Sequence, residues 1–214
     1  MDFKLWCAPG VHMVQVVEDI VLLDRSADAY RCLLGAANAV RPGPGGAIDV
    51  FEPEILRELL AAGIATRSPP SPLRRDPSAP TRELPRMNRA SCAEVFRAGV
   101  ALTLAAHTFK ARPLDDLIAA GSSKARRALH VDEIRLDRLV AAARSARAWV
   151  PFEGECLRRS YQLRHFLRTE GMATDWLFGV RTWPFAAHCW LQIGDLVVGD
   201  RLERVQFYTP ILSA

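Results

Sequence analysis

Residues 66–90 cannot build a packed domain, and that constrains the rest of the chain. The stretch runs Ser68-Pro69-Pro70-Ser71-Pro72-Leu73-Arg74-Arg75, and Pro77, Pro80 and Pro85 follow. Proline lacks an amide hydrogen and holds φ near one value. Such a segment favours extended, semi-rigid chain over a core. The 214 residues therefore divide into an N-terminal unit (1–65), a Pro/Arg-rich linker (66–90) and a larger C-terminal unit (91–214). Half of all residues are hydrophobic, so both flanking units can support a core.

In the N-terminal unit, β-branched runs predict strands over 3–7, 12–17, 20–24 and 29–33, separated by turn-formers. A short helical piece over 36–40 ends at Pro42-Gly43-Pro44-Gly45-Gly46. A better helix spans 54–62, with Leu56, Leu59 and Leu60 clustered and Gly63 as its stop. Strands followed by helices suggest a small winged-helix-like module. The C-terminal unit begins with helical periodicity over 92–109, from Pro113 onward, and over 131–150. A fourth helix runs over 155–170, stopped by Gly171. Strands are predicted over 175–180, 188–193 and 196–200, and Pro210 confines a last strand, 206–212, to a sheet edge. The expected class is α+β.

Composition excludes several functions. Lys and Arg number 28 against 24 Asp and Glu, a net +4, which is too mild to imply nucleic acid. The clusters Arg74-Arg75, Arg82 with Arg86 and Arg89, and Lys124 with Arg126-Arg127 read as a solvated face; the sharper reading is docking of an acidic peptide. The five cysteines are odd in number and form no C-x-x-C pair. Neither a disulfide framework nor a zinc knuckle fits, and reduced thiols in a cytoplasm do. No metal site is expected. The N-terminus lacks a signal-peptide pattern, and the apolar stretch 96–109 is too short, with Arg97 and His107 in it, to span a bilayer. Gly43-Pro44-Gly45-Gly46 lacks the Lys-Ser/Thr of a phosphate loop, so no nucleotide or other cofactor is assigned.

Three positions carry chemistry together. Cys156 opens the helix that follows Pro151-Phe152-Glu153-Gly154-Glu155. Unpaired N–H groups and the positive end of the helix dipole stabilise a thiolate there. His188 opens a strand, and Asp200 ends the next one after Val197-Val198-Gly199. Each alone reads as structural: a buried thiol, a satisfied core histidine, a solvated strand-end carboxylate. Together they fit an activated thiol, a base, and an acid that orients the base. Side chains alternate along strands. A two-residue loop at Gly194-Asp195 would set Ile193 against Leu196 and put Asp200 on the wrong face. The expected register therefore has Gln192 opposite Leu196, or a bulge. Cys189 would then face away and be structural.

The elements Cys156-Leu157-x-Arg159-Ser160, Trp176-x-Phe178-Gly179-Val180, Pro184-Phe185-x-Ala187-His188-Cys189-Trp190 and Gly199-Asp200 together resemble the lasso-peptide biosynthesis B proteins. The similar region covers about residues 91–214. In the N-terminal unit, Val21-x-Leu23-Asp24 and Ala27-Asp28-x-Tyr30 resemble the peptide-recognition element found beside or fused to these enzymes. The resemblance implies a transglutaminase-like (papain-like) cysteine peptidase, with Cys156 as nucleophile, His188 as base and Asp200 as orienting acid. It implies a precursor-peptide leader bound by strand addition at the edge over 29–33. Tyr30 and Leu59 are the candidate substrate contacts, although both, Leu59 above all, also read as core. It further implies an asparagine-synthetase-like lasso cyclase as partner. Trp183, Phe185 and Trp190 are candidates for the wall of the cleavage pocket. A transglutaminase-fold acyltransferase or amidase, and a non-catalytic peptide-binding adaptor, are the competing readings.

Overall fold

The computed structural model describes residues 3–70, 76–109, 112–121, 131–150 and 155–214. Arg74-Arg75, Lys124 with Arg126-Arg127, and the 151–154 approach to Cys156 lie outside the described residues. The chain forms two compact units. One holds residues 1–77, 179–187 and 208–213; the other holds 78–178, 188–207 and 214.

The first unit begins with β1 (Phe3–Cys7), β2 (Val11–Val16), β3 (Asp19–Asp24) and β4 (Ala29–Leu33). Strands β2, β3 and β4 form an antiparallel sheet in which Val14 pairs with Val21 and Leu23 with Tyr30. The chain continues through β5 (Val40–Pro42), β6 (Ala47–Val50), α1 (Pro53–Ala61) and β7 (Ala65–Thr66). A second sheet has the order β5-β6-β1-β7. Leu5, Ile20, Val40, Ile48, Val50, Leu56 and Leu59 meet in its core. Proline at the first turn of α1 costs no helical hydrogen bond. Over 36–40, where a short helix was predicted, the chain makes a 3-10 turn (Ala36–Asn38) and enters β5. Residues 40–50 are strand on both sides of the Pro-Gly run; periodicity is too short there to be read. A winged-helix module would set several helices beside its sheet. Among the described residues this unit carries one α-helix and two 3-10 turns, so strand structure dominates.

The expected linker also carries structure. Arg82–Glu83 is a strand, β8, paired in parallel with Leu196–Val197. Leu84 extends the pairing through its N–H to the Val197 carbonyl at 3.1 Å and is 3% exposed. Pro80 and Pro85 flank β8 without occupying it, and β8 is the outer strand of its sheet, where nearby prolines are tolerated.

The helices of the second unit are α2 (Cys92–Phe109), α3 (Leu114–Gly121), α4 (Glu133–Ala146) and α5 (Cys156–Thr169). α2 packs on both α4 and α5. Its buried face is Ala98, Ala101, Leu102, Ala105 and Ala106, small residues that let the axes approach closely. Asp132 caps α4 by accepting the Arg135 N–H at 2.9 Å. Then come β9 (Asp175–Arg181), β10 (Ala186–Ile193), β11 (Leu196–Val198), the one-turn helix α6 (Leu202–Val205) and β12 (Thr209–Ser213). The five-stranded sheet has the order β12-β9-β10-β11-β8. The strand predicted to reach Asp200 stops at Val198, and α6 was not predicted. No described helix is long and apolar enough to cross a membrane.

Candidate active site

The site stands where the start of α5 meets β10 and the chain just past β11. Cys156 is the first residue of α5, and Glu155 at the cap makes no side-chain bond to the first-turn N–H groups. These donors and the helix dipole favour negative charge at the first turn.

The β10–β11 register differs from the expected one. Ile193 pairs with Leu196, Gln192 with Val197 and Leu191 with Val198. Gly194, at φ +62°, accommodates the two-residue loop. Strict alternation would have carried Asp200 to the wrong face. The ladder ends at Val198, however, and Gly199 takes φ +77°. That left-handed residue breaks the alternation. Asp200 Oδ2 then lies 2.6 Å from His188 Nε2. The carboxylate also accepts the Arg201 N–H on Oδ1 at 2.8 Å, with Arg204 at 3.8 Å. A Cβ on Gly199 would sit 2.5 Å from Leu163 Cδ2, so the kink is packed against α5.

Cys156 is hydrogen-bonded to three groups. In order of weight these are the Cys189 thiol, the His188 ring and the Cys189 backbone N–H. They outweigh burial and bring the Cys156 thiol down to about 4. Burial alone would pull His188 down, but its bonds to Asp200 and Cys156, and their charges, hold it at about 9. Burial would raise Asp200; the bonds from His188 and the Arg201 N–H, and the nearby cations, leave it lowered. At neutral pH the site is therefore a thiolate beside an imidazolium, backed by a carboxylate. With Nε2 on Asp200, Nδ1 is the ring nitrogen left to serve Cys156.

Cys189 is a correction. It was expected to face away, yet its thiol touches the nucleophile. Its own ionisation is pushed up strongly by the bond to Cys156 and by burial, so it stays a donor. Ser160, one turn along α5, explains its placement. The Ser160 Oγ accepts the Trp176 indole N–H at 2.8 Å and lies 2.8 Å from the Cys156 carbonyl and 3.4 Å from Cys189 Sγ. The i, i+4 spacing of Cys156 and Ser160 was the available signal. Behind His188, Trp190 stacks at 6.1 Å between centroids and gives its N–H to Gln192 at 3.0 Å. Trp190 is 1% exposed and belongs to the core.

The two substrate contacts expected in the first unit have different fates. Leu59 is 4% exposed, spent on the core and closed to a ligand. α1 packs chiefly on β6 and β7, so it does not build the groove expected beside β4. Tyr30 lies on β4, the outer strand of its sheet, with the Phe185 ring at 5.7 Å. Trp183 gives its indole N–H to the buried Asp19 at 2.8 Å. Among the described residues, no group of three or more His, Cys, Asp or Glu could hold a metal ion.

Comparison with known proteins adds three findings. A family described as the transglutaminase-like superfamily matches residues 98–213. The microcin J25-processing protein McjB of Escherichia coli is 37% identical over 49 residues, which is 23% of this chain and 24% of that protein. The matched stretch thus spans about a quarter of that relative's length. No solved structure matches.

Proposed function

The chain belongs to the transglutaminase-like superfamily, and on that premise we propose that it is a cysteine peptidase that removes the leader from a ribosomally made lasso precursor peptide. The observation that carries this reading is the hydrogen-bonded line Cys156–His188–Asp200, with the thiol ionised and the imidazole protonated. The processing role named for the Escherichia coli relative supplies the substrate class.

Each residue then has a role. The Cys156 thiolate attacks the scissile carbonyl, and the first-turn N–H groups of α5 hold the oxyanion. The imidazolium of His188 gives its Nδ1 proton to the leaving amine. That leaves the leader's carboxyl end as a thioester on Cys156 and frees the core peptide's N-terminus. His188, now neutral, takes a proton from water, and the resulting hydroxide opens the thioester. Asp200 keeps Nε2 protonated and stabilises the cation. The freed amine is what an asparagine-synthetase-like cyclase would consume in closing a macrolactam, so such a cyclase is the partner proposed. The leader would be held by the first unit through strand addition along β4, whose Arg31 and Cys32 are exposed.

The test is mass spectrometry of a precursor peptide incubated with the protein and with Cys156→Ala, each with and without the cyclase. Release of an intact leader by the wild type alone is the expected result. Binding without cleavage by both proteins would instead make the chain an adaptor. Transfer of the leader acyl group to an added amine in place of water would make it an acyltransferase.

A further inference from the structure

The peptidase chemistry uses one thiol, yet two meet at the site. Cys156 Sγ is hydrogen-bonded by both the thiol and the backbone N–H of Cys189. The Cys189 sulfur is pinned from behind by Ser160 Oγ at 3.4 Å, and Ser160 is itself fixed by Trp176. The two sulfurs also differ in access. Cys156 is half-buried and open to a small molecule, whereas Cys189 is 5% exposed. Both are free thiols in this structure.

We propose that Cys189 is a resolving thiol for Cys156, so that a peroxide converts the site into an internal Cys156–Cys189 disulfide that a dithiol reductant reopens. The Cys156 thiolate attacks one peroxide oxygen. The O–O bond breaks, hydroxide (or alkoxide) leaves, and Cys156 becomes a sulfenic acid, oxidised by two electrons. The Cys189 sulfur then attacks the Cys156 sulfur. The S–O bond breaks, the Cys189 proton and the departing hydroxyl combine as water, and the S–S bond forms. The thiolate that held Cys189 protonated disappears in the first step. Ser160, which favours the Cys189 thiolate, remains. Without a neighbour at this distance, a low-pKa sulfenic acid goes on to sulfinic acid, which thiols do not reduce. The disulfide therefore closes the enzyme reversibly where further oxidation would destroy it.

The experiment reads masses and does not depend on the peptide substrate. The full-length protein is treated with hydrogen peroxide, excess thiols are blocked with iodoacetamide, and tryptic peptides are analysed. The expected product joins peptide 148–158, which holds Cys156, to peptide 182–201, which holds Cys189. Dithiothreitol should return Cys156 to an alkylatable thiol. In Cys189→Ser, most of Cys156 should end as sulfinic or sulfonic acid and stay unalkylated after dithiothreitol, while Cys32→Ser and Cys92→Ser behave as wild type. The proposal is overturned if wild-type Cys156 does not oxidise or goes directly to sulfinic acid. It is equally overturned if Cys156 links to another cysteine, or recovers as well in Cys189→Ser as in the wild type.

Discussion

The two compact units spend buried polar groups differently. In the second, Asp137, Ser160, Gln162, Arg164 and Gln192 are all buried. In the first, Asp19 is the one buried polar side chain among the described residues. Burying such groups costs free energy unless every hydrogen bond is replaced. The second unit tolerates that cost around its chemistry: Ser160 places a thiol, and Gln192 joins Trp190 to the carbonyl of Ser78 at 3.1 Å. The first unit has an apolar core and exposes residues of an outer strand. Where geometry must be exact, polar groups are buried; where a flexible peptide is to be met, a strand edge suffices. Substitutions in the second unit should therefore damage chemistry, and those at β4 should damage affinity alone.

The largest effect is expected from Asp200→Asn. The amide can keep a hydrogen bond to His188 but not the charge that stabilises its cation. Loss of the orienting carboxylate should lower cleavage by about a hundredfold or more. In the wild type, cleavage should be level between the Cys156 value of about 4 and the His188 value of about 9. It falls below the first because the thiol is protonated, and above the second because the imidazolium is lost. Asp200 raises His188, so its removal moves the upper limb to lower pH. An upper limb that stays in place in Asp200→Asn would show that His188 is not the general acid.

Gly199→Ala follows. A non-glycine residue at φ +77° is strained, which costs about 1–3 kcal/mol, and its Cβ would collide with Leu163. Denaturant unfolding should report a loss of that order or more. If the variant folds, His188 and Asp200 separate, and the pH profile should come to resemble that of Asp200→Asn. Next is Asp137→Ala. This carboxylate accepts the Met87 and Asn88 N–H groups at 2.9 and 2.7 Å and the Asn88 amide at 2.9 Å. Leaving those donors unpaired should cost about 1–3 kcal/mol in thermal or denaturant unfolding.

What the sequence revealed follows from range. Cys156, His188 and Asp200 could be named because each stands at a readable boundary: a helix start, a strand start, and the end of an apolar run. Their meeting was expected for the wrong reason. The register reading assumed that β11 continues to Asp200, and a single glycine, visible in the sequence but silent about its φ, ends the strand and turns the carboxylate. Cys189 was misplaced because strand alternation describes neighbours across the sheet and not a helix end packed against it. The linker reading failed at Arg82–Glu83 because β8 owes its existence to a partner more than 110 residues away, which no local composition reports. Leu59 was legible only as apolar, and core and binding face share that signature.

The smallest effect separates the units most cleanly. Tyr30 is paired with Leu23 across β3–β4 and rests near Phe185. Removing its ring should weaken leader binding by about 0.5–1.5 kcal/mol, a tenfold effect at most. The Cys156 bonds lie entirely among residues of the second unit, so Tyr30→Ala should leave the rate and pH dependence of Cys156 alkylation unchanged. Isothermal titration of a leader peptide, run beside iodoacetamide kinetics, reads both quantities. Reduced affinity with unaltered alkylation assigns recognition to β4. An alkylation limb that shifts with Tyr30 would mean that the recognition strand reaches the thiol, and the separation of binding from chemistry would have to be given up.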